Sequence, residues 1–326
     1  MIFNMHQDIS VIIPIYNRPG EAAELLESLS KQTDRDFELV MVEDGSSIPC
    51  KSVCDRFADQ LRISYYFKEN GGPGKARNYG MAKAKGDFFV ILDSDCIIPA
   101  HYIATLKNQL KEGLRFYGGP DDTLPTFTLM QKAVNYTMTA FITTGGIRGG
   151  KKKVAKYFPR SFNMGFVKEM YDRIGGFIDM YYGEDLDFSM RAIDHGYQPV
   201  LIPSLYVFHK RRTSFRSFSR QVYRMGYARI IISKLHPGSL KLPHAAPAVF
   251  FIALLACLFL SLLTINIWWM APFACYAVMV FLDATLRNRS LTVGILAVVA
   301  AFTQHCSYGY GFVKAIITGA KFKAKS

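Results

Sequence analysis

Phe88-Phe-Val-Ile-Leu-Asp-Ser-Asp95 is the stretch on which the fold turns. Five consecutive apolar residues predict a strand buried on both faces, and two carboxylates follow it, two positions apart. A strand buried on both faces needs cover on each side, which parallel α/β sheets supply with crossover helices. Reading outward, Ile9-Ser-Val-Ile-Ile-Pro-Ile15 predicts another such strand, with Pro14 near its end, where pairing stops. Phe37–Glu43 is a further apolar run, followed by Asp44-Gly-Ser-Ser47, and Ile63–Phe67 is a fourth strand. Helices are predicted over 19–32, with Asn17 as cap and Pro19 in the first turn, and over about 50–60. Another opens at Asn70-Gly-Gly-Pro-Gly74 and runs to about Ala84. This alternation predicts a mostly parallel sheet flanked by helices. Such sheets bind ligands beyond the carboxyl ends of their strands, where Asn17, Asp44, Asp93 and Asp95 all stand.

The spacing of Asp93 and Asp95 lets two hard oxygen donors share one divalent cation, Mg2+ or Mn2+, and bridge it to a diphosphate. A solvated acidic turn is the alternative. Glu184 and Asp185, after Gly183, open an amphipathic helix whose dipole favours carboxylates at that end. Either could serve as a general base, or both could be helix-start chemistry only. Successive helical residues diverge by about 100°, so the two cannot point the same way. No Ser/His/Asp or Cys/His signature competes. The Gly/Lys run from Gly145 to Lys153 lacks the spacing of a P-loop.

In order along the chain stand Val11-Ile-Ile-Pro-Ile-Tyr-Asn-Arg18, Val42-Glu-Asp-Gly-Ser46 and Asn70-Gly-Gly-Pro-Gly-Lys-Ala-Arg-Asn78. Leu92-Asp-Ser-Asp95, Arg160-Ser-Phe-Asn-Met-Gly165, Gly175-Gly-Phe177 and Gly183-Glu-Asp185 follow. This series resembles the family 2 glycosyltransferases of the GT-A fold over about residues 8–210. The resemblance implies inverting, metal-dependent transfer from a nucleotide-diphosphate sugar, with Mg2+ or Mn2+ as cofactor. It implies that Pro14, Tyr16 and Asn17 line the nucleotide pocket, that Asp44 holds the base or ribose, and that Arg77 lies near the nucleotide. Asp93 would face the ribose and the metal, and Asp95 would bind the metal. Asp185 would deprotonate the acceptor hydroxyl, and Glu184 would orient the acceptor. His209 resembles a histidine that follows the last strand in many GT-A enzymes, sometimes as a metal ligand; a packed or solvated histidine is the alternative.

The net charge of +13 is unevenly placed. Residues 1–194 hold 24 Lys and Arg against 25 Asp and Glu, a net of −1. Residues 195–326 hold 15 against Asp283 alone, a net of +14. Leu242 to Leu282 is uncharged over 41 positions, room for two membrane passes at about 20 residues each, with a turn at Thr264-Ile265-Asn266 and Trp268 and Trp269 at an interface. A third apolar stretch, Ser290–Val313, is interrupted by Gln304-His305, Gly309 and Gly311, and is read as crossing, re-entrant or interfacial. Thr213–Leu235 predicts a helix with an apolar stripe (Phe215, Phe218, Val222, Met225) beside an Arg212, Arg216, Arg220 stripe, suited to an anionic leaflet. Its Gln221-Val-Tyr-Arg224-Met225 is similar to the Gln-x-x-Arg-Trp motif of processive synthases, but Met225 replaces the Trp, which favours single-residue transfer.

The expected organisation is a catalytic domain over 1–210, an interface helix over 211–241 and a membrane region over 242–326. The basic flanks of the first two passes place the catalytic domain on the cytoplasmic side of the cytoplasmic membrane. No cleaved signal peptide is expected at Met1–Ser10, and the six cysteines are expected as free thiols without zinc. Nucleic acid is not an expected partner, since the Arg residues abut an uncharged stretch. The acceptor is expected to be a hydroxyl of a lipid-linked glycan or envelope polysaccharide precursor. A polyprenyl-phosphate sugar transferase and a non-catalytic membrane scaffold are the alternatives.

Overall fold

The computed structural model describes residues 8–124, 126–145, 157–320 and 322, so most of the Gly/Lys run, 146–153, lies outside the described residues. The four expected strands are present as β1 (Ile9–Ile15), β2 (Glu38–Asp44), β3 (Arg62–Lys68) and β4 (Phe88–Leu92). Between them run α1 (Pro19–Ser30), α2 (Lys51–Asp55) and α3 (Pro73–Lys83). Helix α2 is shorter than expected. Beyond Asp55, bonds such as Phe57 N–H to Cys54 O and Gln60 N–H to Phe57 O tighten the chain into turns.

Then follow β5 (Cys96–Ile97), α4 (Tyr102–Lys111), β6 (Phe116–Gly118), β7 (Asp121–Asp122), α5 (Leu129–Thr139) and α6 (Phe141–Thr144). After them come β8 (Asn163–Val167), α7 (Lys168–Ile174), α8 (Glu184–Asp194), β9 (Val200–Leu201) and β10 (Val207–His209). The main sheet has the order β3-β2-β1-β4-β8-β6-β9. β3, β2, β1 and β4 pair in parallel, while β8 is antiparallel to β4 and β6. A small sheet, β5-β10-β7, brings His209 opposite Cys96. Pro14 is alongside Val42, past the point where the ladder with β4 ends at Ile12 and Ile91. Its missing N–H therefore costs little.

β1 and β4 are buried at every position, as strands covered on both faces must be. Helix α3 lies close on the sheet through Gly80, where a Cβ would come within 2.6 Å of Ile12 and 3.1 Å of Val42. Asn17 does not cap α1. Arg18 is the cap residue, and the Asn17 side chain is taken up by the loop after β2.

The described residues divide into two units, 8–124 with 157–209, and 126–145 with 210–320 and 322. Residues 126–145 therefore group with the C-terminal helices, although the sequence reading put them in the catalytic domain. The reason is packing. On α5 and just past its end, Ala133, Tyr136 and Ala140 bury themselves against Val280, Ala284, Val293, Ala297 and Ala301. The Tyr136 hydroxyl donates to Asp283 at 2.7 Å, giving the lone acid of the C-terminal region a partner.

The C-terminal helices are α9 (Phe215–Leu235), α10 (Leu242–Thr264), α11 (Ala271–Asn288) and α12 (Leu291–Ile317). Among the described residues, three helices are long and apolar enough to cross a membrane: Leu242–Thr264, Ile267–Asn288 and Leu291–Ile317. The turn falls where expected, with Ile265 in the left-handed region and Asn266 accepting from Trp268 N–H. The third stretch is one unbroken helix. Its glycines are packing positions: Gly309 meets Pro247, Ala248 and Phe251 of α10, and Gly311 meets Tyr223 of α9. The apolar stripe of α9, expected to face lipid, is instead covered by protein. Phe218 and Val222 are buried with Val134 and Met138 of α5 and Ala300 of α12, while Arg216 and Arg220 remain exposed.

Candidate active site

The site is built where β1, β2 and β4 end and α8 begins. Asn17 has φ +53°, a left-handed conformation that asparagine tolerates better than most residues. Its Oδ1 accepts from the Ser47 hydroxyl and Ile48 N–H, each at 3.0 Å, and its own N–H donates to Ser46 Oγ at 2.7 Å. Asn17 thus pins the end of β1 to the loop after β2. Asp44 is buried and well compensated. It accepts from Lys68 Nζ at 2.6 Å, Gly71 N–H at 3.0 Å and Gly72 N–H at 2.8 Å. Gly45 is required beside it, because φ is +70° and a Cβ would meet Asn70 N. Its neighbour Glu43, given no role by the sequence reading, is also buried. It accepts from Ser46 Oγ, Cys50 N–H at 2.8 Å and the Tyr65 hydroxyl at 3.1 Å. Tyr16 is half exposed at the end of β1.

Beyond β4, the two aspartates take different cations. Arg77 of α3 is buried, and its Nη2 donates to Asp93 Oδ1 at 2.8 Å. Asp95 Oδ2 accepts from Arg18 Nη1, and Asp95 Oδ1 lies 3.1 Å from His209 Nε2. Burial opposes the charge of Asp95, but His209 and Arg18 outweigh it and hold this carboxyl well below the usual carboxylate range. The His209 ring stacks on Phe162 at 4.9 Å, which fixes its plane.

The donor set fits a hard divalent cation. Two ligands about 2.1 Å from an octahedral metal stand about 3 Å apart, which is the spacing of Asp95 Oδ1 and His209 Nε2. Asp95 Oδ1 is buried, and His209 Nε2 is the polar group that faces it among the described residues. Cys96 Sγ is close to this pair, but it donates to Phe162 O at 3.5 Å and burial pushes its thiol up. A neutral, soft thiol is a poor ligand for Mg2+ or Mn2+.

Gly183, at φ +92°, turns the chain into α8 and sets Glu184 and Asp185 in its first turn. Both side chains are buried. Glu184 Oε1 accepts from Arg77 Nη1 at 2.8 Å, so one guanidinium joins Glu184 to Asp93. Burial and the adjacent Asp185 push the Glu184 carboxyl up to about 7, against the pull of Arg77. Asp185 Oδ2 pairs with Arg160 Nε at 2.8 Å, and its Oδ1 accepts from Leu186 N–H at 2.8 Å.

The remaining motifs hold these groups in place. The Asn78 amide donates to Phe177 O and accepts from Phe177 N–H, both at 2.8 Å. A Cβ on Gly176 would collide with that amide, which accounts for the Gly-Gly-Phe sequence. Arg191 of α8 donates to Ile174 O and Gly176 O, each at 2.6 Å. The Asn163 amide donates to Leu205 O at 2.7 Å, ahead of His209. The structure therefore brings Asp93, Arg77 and Glu184 into one chain of contacts, and Asp95 and His209 into another. The sequence reading quoted Arg18 and Arg160 within motifs without giving either a role. A cation beside each motif acid was the available signal.

This architecture is the GT-A fold: a mostly parallel sheet flanked by helices, with acidic pairs at a strand end and a helix start. The Glycosyl transferase family 2 profile matches residues 10–175, and the chain belongs to that family. Among similar solved structures is mannosyltransferase PcManGT from Pyrobaculum calidifontis, in complex with GDP-Man and Mn2+. It has a TM-score of 0.61 and 19% identity over 97% of this chain and 89% of that one. Glycosyltransferase GlyG of Streptococcus pneumoniae is 39% identical over 110 residues, covering 33% of this chain and 36% of GlyG. Poly(ribitol-phosphate) beta-N-acetylglucosaminyltransferase TarS of Staphylococcus aureus is 31% identical over 150 residues, covering 40% of this chain and 26% of TarS. The chain thus spans about a third or less of the length of these curated relatives.

Proposed function

We propose that the chain is a membrane-bound, inverting glycosyltransferase. It moves a sugar from a nucleotide-diphosphate donor to a hydroxyl of a lipid-linked glycan or envelope polysaccharide precursor. The observation that carries this reading is Arg77, buried and bonded at once to Asp93 on the donor side and to Glu184 beside Asp185. One rigid cation sets the distance between the two carboxylate pairs, as in-line displacement at one carbon requires. Asp44, Asn17, Tyr16 and Pro14 form the nucleotide end. Asp95 and His209, with Asp93, would hold Mg2+ or Mn2+, which supplies charge stabilisation to a departing diphosphate when bound. Asp185 takes the acceptor proton as the new glycosidic bond forms and the bond to the diphosphate breaks. Arg160 and Leu186 N–H fix the direction of that carboxylate. The three apolar helices anchor the chain. The exposed Arg216 and Arg220 of α9 meet an anionic leaflet, and the basic flanks Lys241, Arg287 and Arg289 keep the catalytic unit on the cytoplasmic side.

The test is a panel of nucleotide sugars, with Mn2+ or Mg2+, given to membranes carrying the full chain. One donor should be consumed in a metal-dependent way, and Asp95→Ala and Asp185→Asn should each abolish most of that turnover. Turnover unchanged in both variants would overturn the reading. A sugar-phospholipid product with no glycan would move the acceptor to a polyprenyl phosphate.

A further inference from the structure

The two aspartates after β4 are neutralised by arginines of opposite character. Arg77 is 3% exposed and braced by two carboxylates. Arg18 is 30% exposed, and Asp95 is the hydrogen-bond partner it has among the described residues. Its guanidinium sits on Asp95 Oδ2, while His209 Nε2 faces the other oxygen of the same carboxylate. Arg18 is also placed at the start of α1, on the two-residue step Asn17-Arg18 that Asn17 locks to the loop after β2. The backbone there is fixed, and the side chain is partly open to solvent.

We propose that Arg18 is a built-in counter-cation that competes with a divalent metal for Asp95. This rests on the reading of Asp95 and His209 as metal ligands. With the guanidinium on Asp95, the positive charge beside the site opposes a second cation, so the metal alone binds weakly. An anionic diphosphate bound together with the metal would offer the Arg18 guanidinium another acceptor, and Asp95 would be freed. Arg77 cannot do this, because moving it would leave the buried Glu184 and the part-exposed Asp93 uncompensated. Arg18 is therefore a positioning residue that ties metal affinity to the donor.

Mn2+ titrated into the purified full chain in detergent, with free Mn2+ read by electron paramagnetic resonance, tests this without turnover. Arg18→Gln should tighten Mn2+ binding about tenfold, whereas Arg18→Lys, which keeps the charge, should stay near the original affinity. Loss of a merely structural contact would loosen the site, not tighten it. A folded Arg18→Gln protein, checked by its melting temperature, with unchanged or weaker Mn2+ affinity would overturn the proposal. Should Arg18→Gln melt early, Arg18→Met serves as the second variant, with the same two outcomes. Asp95→Asn separates the underlying reading. If it leaves Mn2+ binding of the original chain intact, the metal assignment fails and this inference with it. If it removes binding while Arg18→Gln changes nothing, this inference fails alone.

Discussion

Asp93 and Asp95 end a strand, Glu184 and Asp185 begin a helix, and the two pairs are compensated in different ways. At the strand end each aspartate has its own cation, Arg77 for Asp93 and Arg18 with His209 for Asp95. The Asp93 side chain keeps 30% of its exposure. At the helix start both carboxylates are buried at 8%, and a backbone N–H of α8 adds to the arginines there. The strand-end pair thus keeps more access to solvent than the helix-start pair. Arg77 belongs to both pairs. The lesson is that a carboxylate motif is incomplete without its counter-charge.

The comparison can be broken first at Asp185. Asp185→Asn should lower kcat by about 10²–10⁴-fold with little change in donor KM, the span expected of a general base. Equal losses in kcat and donor affinity would place Asp185 with the strand-end pair instead. The shared cation comes next. Arg77→Met should destabilise the catalytic unit by about 3–5 kcal/mol, because the buried Glu184 loses its partner and the part-exposed Asp93 loses one too. Thermal unfolding of the variant beside Arg18→Gln checks this, and similar shifts for the two would erase the distinction drawn here. Asn78→Ala should cost less, about 1–3 kcal/mol, by leaving the N–H and C=O of Phe177 unpaired.

The pairs also differ in the sign of their pH dependence. Glu184 keeps its proton up to about pH 7 in the folded chain, against 4.5 for an ordinary glutamate. Between those values the folded state binds more protons than the unfolded one, so stability should fall as pH rises from about 4.5 to about 7. Asp95 acts in the opposite sense. Its carboxyl is held low, so its contribution is full above about pH 3.8 and fades as pH drops below that value. Unfolding followed from pH 3 to 8 should show both limbs, and Glu184→Gln should flatten the upper one alone.

Much of this was legible in the sequence because strand burial and ligand chemistry leave local marks. The runs Ile9–Ile15 and Phe88–Leu92 could only be strands covered on both faces, and Asp93, Asp95, Glu184 and Asp185 stood at their ends or at a helix start. The order of the motifs was enough to indicate the family. Other readings failed for physical reasons. Asn17 has cap chemistry, but a side-chain amide can serve one partner set, and the loop at Ser47 and Ile48 takes it. The apolar stripe of α9 has the pattern of a lipid-facing helix, yet Phe218 and Val222 find α5 and α12 instead. Period and polarity show that a face needs cover without showing what covers it.

What the sequence by itself determined is the set of strands, the acids beyond them, and a C-terminal region carrying the surplus charge beside apolar helices. Each follows from short-range pattern and composition. Only the tertiary structure decided that Arg77 joins Asp93 to Glu184, which lies 107 positions along the chain from Arg77, that Arg18 pairs with Asp95, and that residues 126–145 pack with the C-terminal helices. Those pairings depend on which faces meet when the chain closes. An arginine reads the same in sequence whether it will be locked between two carboxylates or paired with one at the edge of solvent.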